Sequence, residues 1–177
     1  MSEFRYENIL REKPKIESIW DAKNKWECLQ PDPKTGQFNW TKFKQGDTVL
    51  GGVYRVICCI DIDFQDFTIS GSKKIAGTIT KETVLSVGKS GNLAQRFKQH
   101  FSAAAVKSHR LLDRFRDLYK EEQNIPAGMT WLKKAITGPE PKFRIEYCIL
   151  GSWWERDILE CYGRSCSCSL FDLDAER

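Results

Sequence analysis

The 177-residue chain has no apolar run approaching the roughly 18 residues that cross a bilayer as a helix. Its opening, Met1-Ser2-Glu3-Phe4-Arg5, lacks the apolar centre of a signal peptide. These absences give the expectation of a soluble, unsecreted protein without a membrane partner, in the cytoplasm of a bacterial or phage-infected cell. A cysteine framework is also missing. The 7 cysteines are odd in number and include the adjacent pair Cys58-Cys59, which points to reduced thiols rather than disulfides. Cys161, Cys166 and Cys168 lack the paired C-x2-C knuckles of common structural zinc sites, and neither histidine is near them in sequence. No internal repeat or low-complexity tract is present, and no asparagine follows Asn124.

Strong charge of one sign is absent overall, since 28 Lys and Arg face 24 Asp and Glu for a net charge of +4. The balance is uneven, however. Between Lys89 and Lys120 the only acids are Asp113 and Asp117, whereas from Glu155 to Arg177 six acids face three bases. A basic middle third suits a polyanion, with nucleic acid the natural partner. At 41% hydrophobic and 12% aromatic, the chain is long enough for one core with an added arm, and too short for two comfortable domains.

The apolar spacing of Ile16, Ile19 and Trp20 predicts a helical arm, with Pro14 placed at a helix start. Turn chemistry over Pro31 to Gly36 and at Gln45-Gly46-Asp47 places a boundary near residue 48, so residues 1–50 form an N-terminal arm or recognition region. Phe38, Trp40 and their neighbouring lysines read as packing, with a face for nucleic acid as the alternative. Val53 to Ile60 reads as a buried central strand, residues 61–81 as an inserted hairpin, and Thr83 to Val87 as a second central strand.

Gly88-Lys89-Ser90-Gly91 then reads as a glycine turn into a helix. Leu93, Phe97, Phe101 and Ala104 repeat at helical spacing, Asn92 is placed as N-cap, and Gln95 is placed to reach back to the Asn92 amide. Arg96 and His100, four apart, share one face of that helix. A second helix from Ser108 leaves Arg110 and Arg114 for phosphates, or for a merely solvated face. A short helix at 131–136, a half-buried strand over Lys142 to Leu150 and a helix over Trp153 to Tyr162 capped by Ser152 complete the pattern. The expected fold class is α/β (α+β): a small, mostly antiparallel central sheet flanked by helices, over residues 51–168, with a tail at 169–177.

Gly52-Val53-Tyr54, then Ser86-Val87-Gly88 followed by Arg96 and His100, then Glu155 opening a helix after a third strand, together resemble the GIY-YIG nuclease superfamily. Gly88-x-Ser90-x-Asn92-Leu93-x-x-Arg96-x-x-x-His100 looks like that family's second motif with its spacings intact. Glu155-x-x-Ile158-Leu159-x-x-Tyr162 resembles the segment carrying its metal-binding glutamate. Three departures stand out: Ser86 replaces the second motif's tyrosine, the hairpin lengthens a short connection, and Ser167 falls near the place of a late asparagine.

The resemblance implies a restriction-type, phage or mobile-element endonuclease that hydrolyses phosphodiester bonds in DNA, with RNA left open, as a possible homodimer. Glu155 is then a hard oxygen ligand for Mg²⁺, with Mn²⁺ as a substitute; the plain alternative is a first-turn acid stabilised by the helix dipole. Arg96 and His100 attend the phosphate, and Tyr54 is the base or positions the water, unless it is a core aromatic with a satisfied hydroxyl. Ser86, Lys89 and Ser167 are candidate supporting groups, with Lys89 placed to favour the Tyr54 phenolate. Lys98, Lys107, Arg110 and Arg114 are candidate nucleic-acid contacts. Asp157 and Glu160 are expected to face solvent. A weakened or inactive module that binds nucleic acid without cutting it is the alternative function.

Overall fold

The computed structural model describes residues 6–69, 73–101 and 140–167. In chain order these form α1 (Tyr6–Ser18), β1 (Glu27–Cys28), β2 (Lys44–Gln45), β3 (Thr48–Val49), β4 (Gly52–Cys58), β5 (Ile62–Ile69), β6 (Lys73–Ile79), β7 (Val84–Ser90), α2 (Leu93–Phe101), β8 (Phe143–Ile149) and α3 (Trp153–Ser167). Short 3-10 turns occupy Lys23–Lys25 and Trp40–Phe43. The chain is mixed α and β around a four-stranded antiparallel sheet in the order β1-β8-β4-β7. No described helix is long and apolar enough to cross a membrane. The expected helices over 108–136, Lys107, Arg110, Arg114 and the tail lie outside the described residues.

The central strand β4 is buried on both faces, as a run of β-branched and aromatic residues should be. On one face Tyr54, Val56, Leu85, Ile145 and Tyr147 pack with Leu93, Phe97 and Phe101 of α2. On the other, Val53, Val87 and Cys148 pack with Leu159 of α3 and with Ile16, Trp20 and Trp26. Strand geometry enforces this division because successive side chains alternate. An irregularity in the β4–β7 pairing between Val56 and Ile57 leaves Leu85 outside the ladder, and Leu85 joins the α2-side cluster beside Ser86.

One expectation about the N-terminal residues is corrected. Pro14 lies inside α1 rather than opening it. Proline removes one helical hydrogen bond there, and the burial of Ile16 and Trp20 against the α3 side of the sheet holds the segment regardless. The described residues up to 50 also contribute to the central sheet and its core. β1 is a strand of the central sheet, and Leu29 and Phe43 are fully buried in the α2-side core.

Arg55 adds a polar clasp to the same union. It donates to Glu146 at 2.8 Å and to the Trp20 carbonyl at 3.0 Å, and its guanidinium lies over the Trp26 ring at 4.1 Å. The expected hairpin is present as β5 paired with β6 in a sheet of its own, rooted in the core by Ile62 and Ile79.

Candidate functional site

The β4–β7 ladder runs through the segment expected to be a turn. Tyr54 pairs with Gly88, Val53 with Lys89 and Gly52 with Ser90, so Gly88 and Lys89 are strand residues. Gly88 does not have a left-handed φ. What requires glycine is space: a Cβ there would overlap the Tyr54 hydroxyl and sit 2.5 Å from Tyr54 Cζ. Tyr54 therefore lies flat across the bare backbone of its neighbouring strand.

Beyond Ser90 the helix starts as its caps dictate. Asn92 Oδ1 accepts from the Gln95 amide at 3.0 Å. The Asn92 amide itself is taken by Ser90 Oγ at 3.0 Å, which replaces the reach-back expected of Gln95. The Leu93 amide donates to the Leu50 carbonyl at 3.0 Å and anchors the start of α2 to the segment leading into β4. With Phe97 locked in the core, the next face of α2 is aimed at the sheet.

Arg96 and His100 consequently meet Tyr54. Arg96 Nε donates to the Tyr54 hydroxyl oxygen at 3.1 Å, and the hydroxyl lies 2.8 Å from His100 Nε2. One arrangement fits both contacts to the Tyr54 hydroxyl: the guanidinium donates to the phenol oxygen, and the phenol donates to Nε2 of a neutral imidazole. Tyr54 is 2% exposed and His100 3% exposed, whereas Arg96 is half-buried. The Phe97 and His100 rings each stand edge-on to Tyr54 at 5.4 Å. Ser86 is buried two residues before Gly88 and opposite Val56, which places it by register on the Tyr54 face.

Glu155 belongs to a different grouping. It lies in the first turn of α3, and its Oε2 accepts from the Ser152 amide at 2.9 Å, the reciprocal half of a capping box. Its charge helps to raise the Cys148 thiol, after burial and against Lys25. Glu155 and the Tyr54 trio therefore belong to helices and strands whose buried residues pack on opposite faces of the sheet. Both helices nevertheless start from the same end of the sheet, where Gly52 pairs with Ser90 and with Ile149.

The supporting groups are redistributed. Strand alternation turns Lys89 to the α3 side, where its ammonium lies 2.9 Å from Asp157 and 2.9 Å from Glu160. Partial burial opposes its charge, but the two carboxylates outweigh burial and hold the ammonium above its ordinary range. Lys89 therefore serves α3 and not the Tyr54 phenol. Glu160, expected in solvent, is 7% exposed and also pairs with Arg164 at 3.0 Å. Ser167 Oγ donates to the Gly163 carbonyl within α3. It sits about 18 Å along the helix from Glu155, given a 1.5 Å rise per residue, and cannot complete a site with it. Lys98 is exposed, with its ammonium 6.0 Å from the Trp40 ring centre.

Comparison with family models, curated proteins and solved structures gives no match to this chain.

Among the described residues no three His, Cys, Asp or Glu gather as a metal-holding group. A Mg²⁺ ion needs no such group, because it keeps most of its waters and accepts one carboxylate. Glu155 fits that donor set: it is half-buried, and the Ser152 amide uses one of the several lone pairs on the carboxylate.

The sequence motifs assign no role to Arg156. Arg156 Nη1 donates to the Leu150 carbonyl at 2.9 Å and to the Gly151 carbonyl at 3.1 Å. A cation in the first turn of a helix opposes the helix dipole, and that unfavourable placement was the available signal that it is held for another reason.

Proposed function

We propose that the chain is a metal-dependent endonuclease of GIY-YIG type that hydrolyses phosphodiester bonds in DNA. The observation that carries this reading is the Tyr54 hydroxyl flanked by Arg96 Nε at 3.1 Å and His100 Nε2 at 2.8 Å. A hydrogen bond from a guanidinium favours negative charge on the phenol oxygen, and an imidazole beside it can take the phenolic proton. Tyr54 then accepts a proton from the attacking water as the water oxygen bonds to phosphorus and the P–O3′ bond breaks, and the proton taken by the imidazole passes through solvent to the departing O3′. The remaining Arg96 donors suit the phosphoryl oxygens, and the reaction's developing charge is met by a fixed cation. Glu155 would hold Mg²⁺, or Mn²⁺ in its place; when bound, the ion supplies Lewis-acid polarisation of the phosphate and of coordinated water.

In this reading the β5–β6 hairpin, Lys98 and the basic 107–114 segment contact DNA, and a homodimer would bring two cutting sites to a two-fold symmetric target. A second reading, binding of nucleic acid without turnover, is favoured by the burial of Tyr54 and His100 and by the packing of α3, the helix that carries Glu155, on the other face of the sheet. Plasmid cleavage in Mg²⁺, with Arg96→Ala and Glu155→Ala compared with wild type, separates the two. Cleavage by wild type that both substitutions abolish supports the nuclease. Binding without cleavage on every DNA and RNA offered supports the module instead.

A further inference from the structure

We infer that Arg156 is a positioning residue for Glu155, acting through the three-residue connector between β8 and α3; the inference rests on the metal-binding reading of Glu155 above. The connector is Leu150-Gly151-Ser152. Its first residue is tied to the sheet, since the Leu150 amide donates to the Gly51 carbonyl at 3.0 Å. Its last residue does the positioning work, since the Ser152 amide donates to Glu155 Oε2 at 2.9 Å. Between them, nothing lies within 4 Å of a Cβ built on Gly151, so packing does not fix the middle of the connector.

Hydrogen bonds must fix it, and Arg156 provides them. Its Nη1 bridges the Leu150 and Gly151 carbonyls at 2.9 and 3.1 Å, gripping the peptide unit that carries the Ser152 amide and the unit before it. The guanidinium reaches them by crossing Gly51, where a Cβ would stand 2.7 Å from Nη1 and 2.8 Å from the Ser90 carbonyl. Gly51 is thus the passage and Arg156 the clamp. The planar guanidinium suits this bridge between adjacent carbonyls; an ammonium on a flexible stem holds the geometry less firmly. The carboxylate that would ligate the ion is therefore oriented by a residue that need not touch it, in the manner of outer-shell partners whose loss typically costs about 10- to 100-fold in metal affinity.

The test uses the full-length protein and Mn²⁺ as the probe. Wild type, Arg156→Ala, Arg156→Lys, Gly51→Ala and Glu155→Ala are compared by calorimetric titration with Mn²⁺ and by hydrogen exchange at the Ser152 amide. Arg156→Ala should weaken Mn²⁺ binding by about 10-fold or more and speed Ser152 exchange, with kcat for DNA falling more than KM rises. Gly51→Ala should move both readouts the same way, and Arg156→Lys should recover part of each. Wild-type Mn²⁺ affinity or unchanged Ser152 exchange in Arg156→Ala, while Glu155→Ala loses the metal, would overturn the positioning role alone. Unchanged Mn²⁺ affinity in Glu155→Ala would overturn the metal reading together with it. Partial recovery by lysine separates positioning from a general folding defect, which a lysine at this place would not repair selectively.

Discussion

The Tyr54 hydroxyl and His100 Nε2 lie 2.8 Å apart although 46 positions separate the two residues in the chain. The contact joins the central strand β4 to the second turn of α2. Tyr54→Phe keeps the ring against Phe97 and deletes only the oxygen. Stability should fall by about 1–3 kcal/mol, as Arg96 Nε and the imidazole lose a buried partner. Cleavage should fall by about 100-fold or more, the usual scale for a lost proton-transfer group. Urea unfolding and plasmid nicking read the two effects separately, and wild-type nicking by the folded variant would remove Tyr54 from the chemistry.

Gly88→Ala tests why Tyr54 lies where it does. Because the added methyl meets the phenol rather than open solvent, the substitution should cost about 1–3 kcal/mol, as overpacked sites do. Gly91→Ala is the control, since nothing lies within 4 Å of a Cβ there. Equal thermal midpoints for the two variants would contradict the close approach of Tyr54.

Glu155→Gln separates capping from ligation. Glutamine can accept the Ser152 amide as glutamate does, so the helix start should be preserved and stability should change by less than about 0.5 kcal/mol. Metal affinity and cleavage should nevertheless collapse, because a neutral amide is a poor partner for Mg²⁺. A variant that unfolds at wild-type denaturant concentration and still cuts would make Glu155 a cap and nothing more.

Phe43→Ala probes whether the N-terminal residues share the core. Phe43 is fully buried against Phe97 and Tyr147, with ring centres at 5.5 and 4.9 Å. Truncation should cost about 3–5 kcal/mol and lower the midpoint of one cooperative transition. An independent arm would instead leave the main transition in place.

The alkaline limb of stability should carry the signature of Tyr147. Burial first, then the hydrogen bond to Glu27 and its charge, push this phenol above the usual tyrosine range. The folded state holds the proton more tightly than the unfolded chain does, so the contribution is complete below about pH 10 and declines as pH rises above it. Burial raises the Cys58 and Cys148 thiols in the same sense, so the decline begins somewhat lower, near the ordinary thiol range. Chemical denaturation across this range should give a flatter alkaline limb for Tyr147→Phe than for wild type.

The sequence by itself determined the elements that local chemistry controls. Apolar runs and alternation marked β4 and β8, helical spacing marked α2, and Asn92 and Ser152 marked where α2 and α3 begin. The four-residue spacing of Arg96 and His100 also placed them on one helix face, and both reach Tyr54. These features depend on neighbours within about one turn or one strand.

Tertiary structure alone decided which face of the sheet each strand residue serves. Read as a turn, Gly88-Lys89-Ser90 left the direction of Lys89 open; paired with β4, the same residues alternate, and Lys89 goes to Asp157 and Glu160 instead of to Tyr54. The same pairing turned Gly88 from a flexible joint into a place where only a missing side chain fits. Residues up to 50 read as an arm because turn-forming residues at Pro31 to Gly36 and Gln45 to Asp47 set a boundary near residue 48, but burial is a property of the partner surface, and only assembly with β8 and α2 revealed that Phe43 and β1 pack into the core.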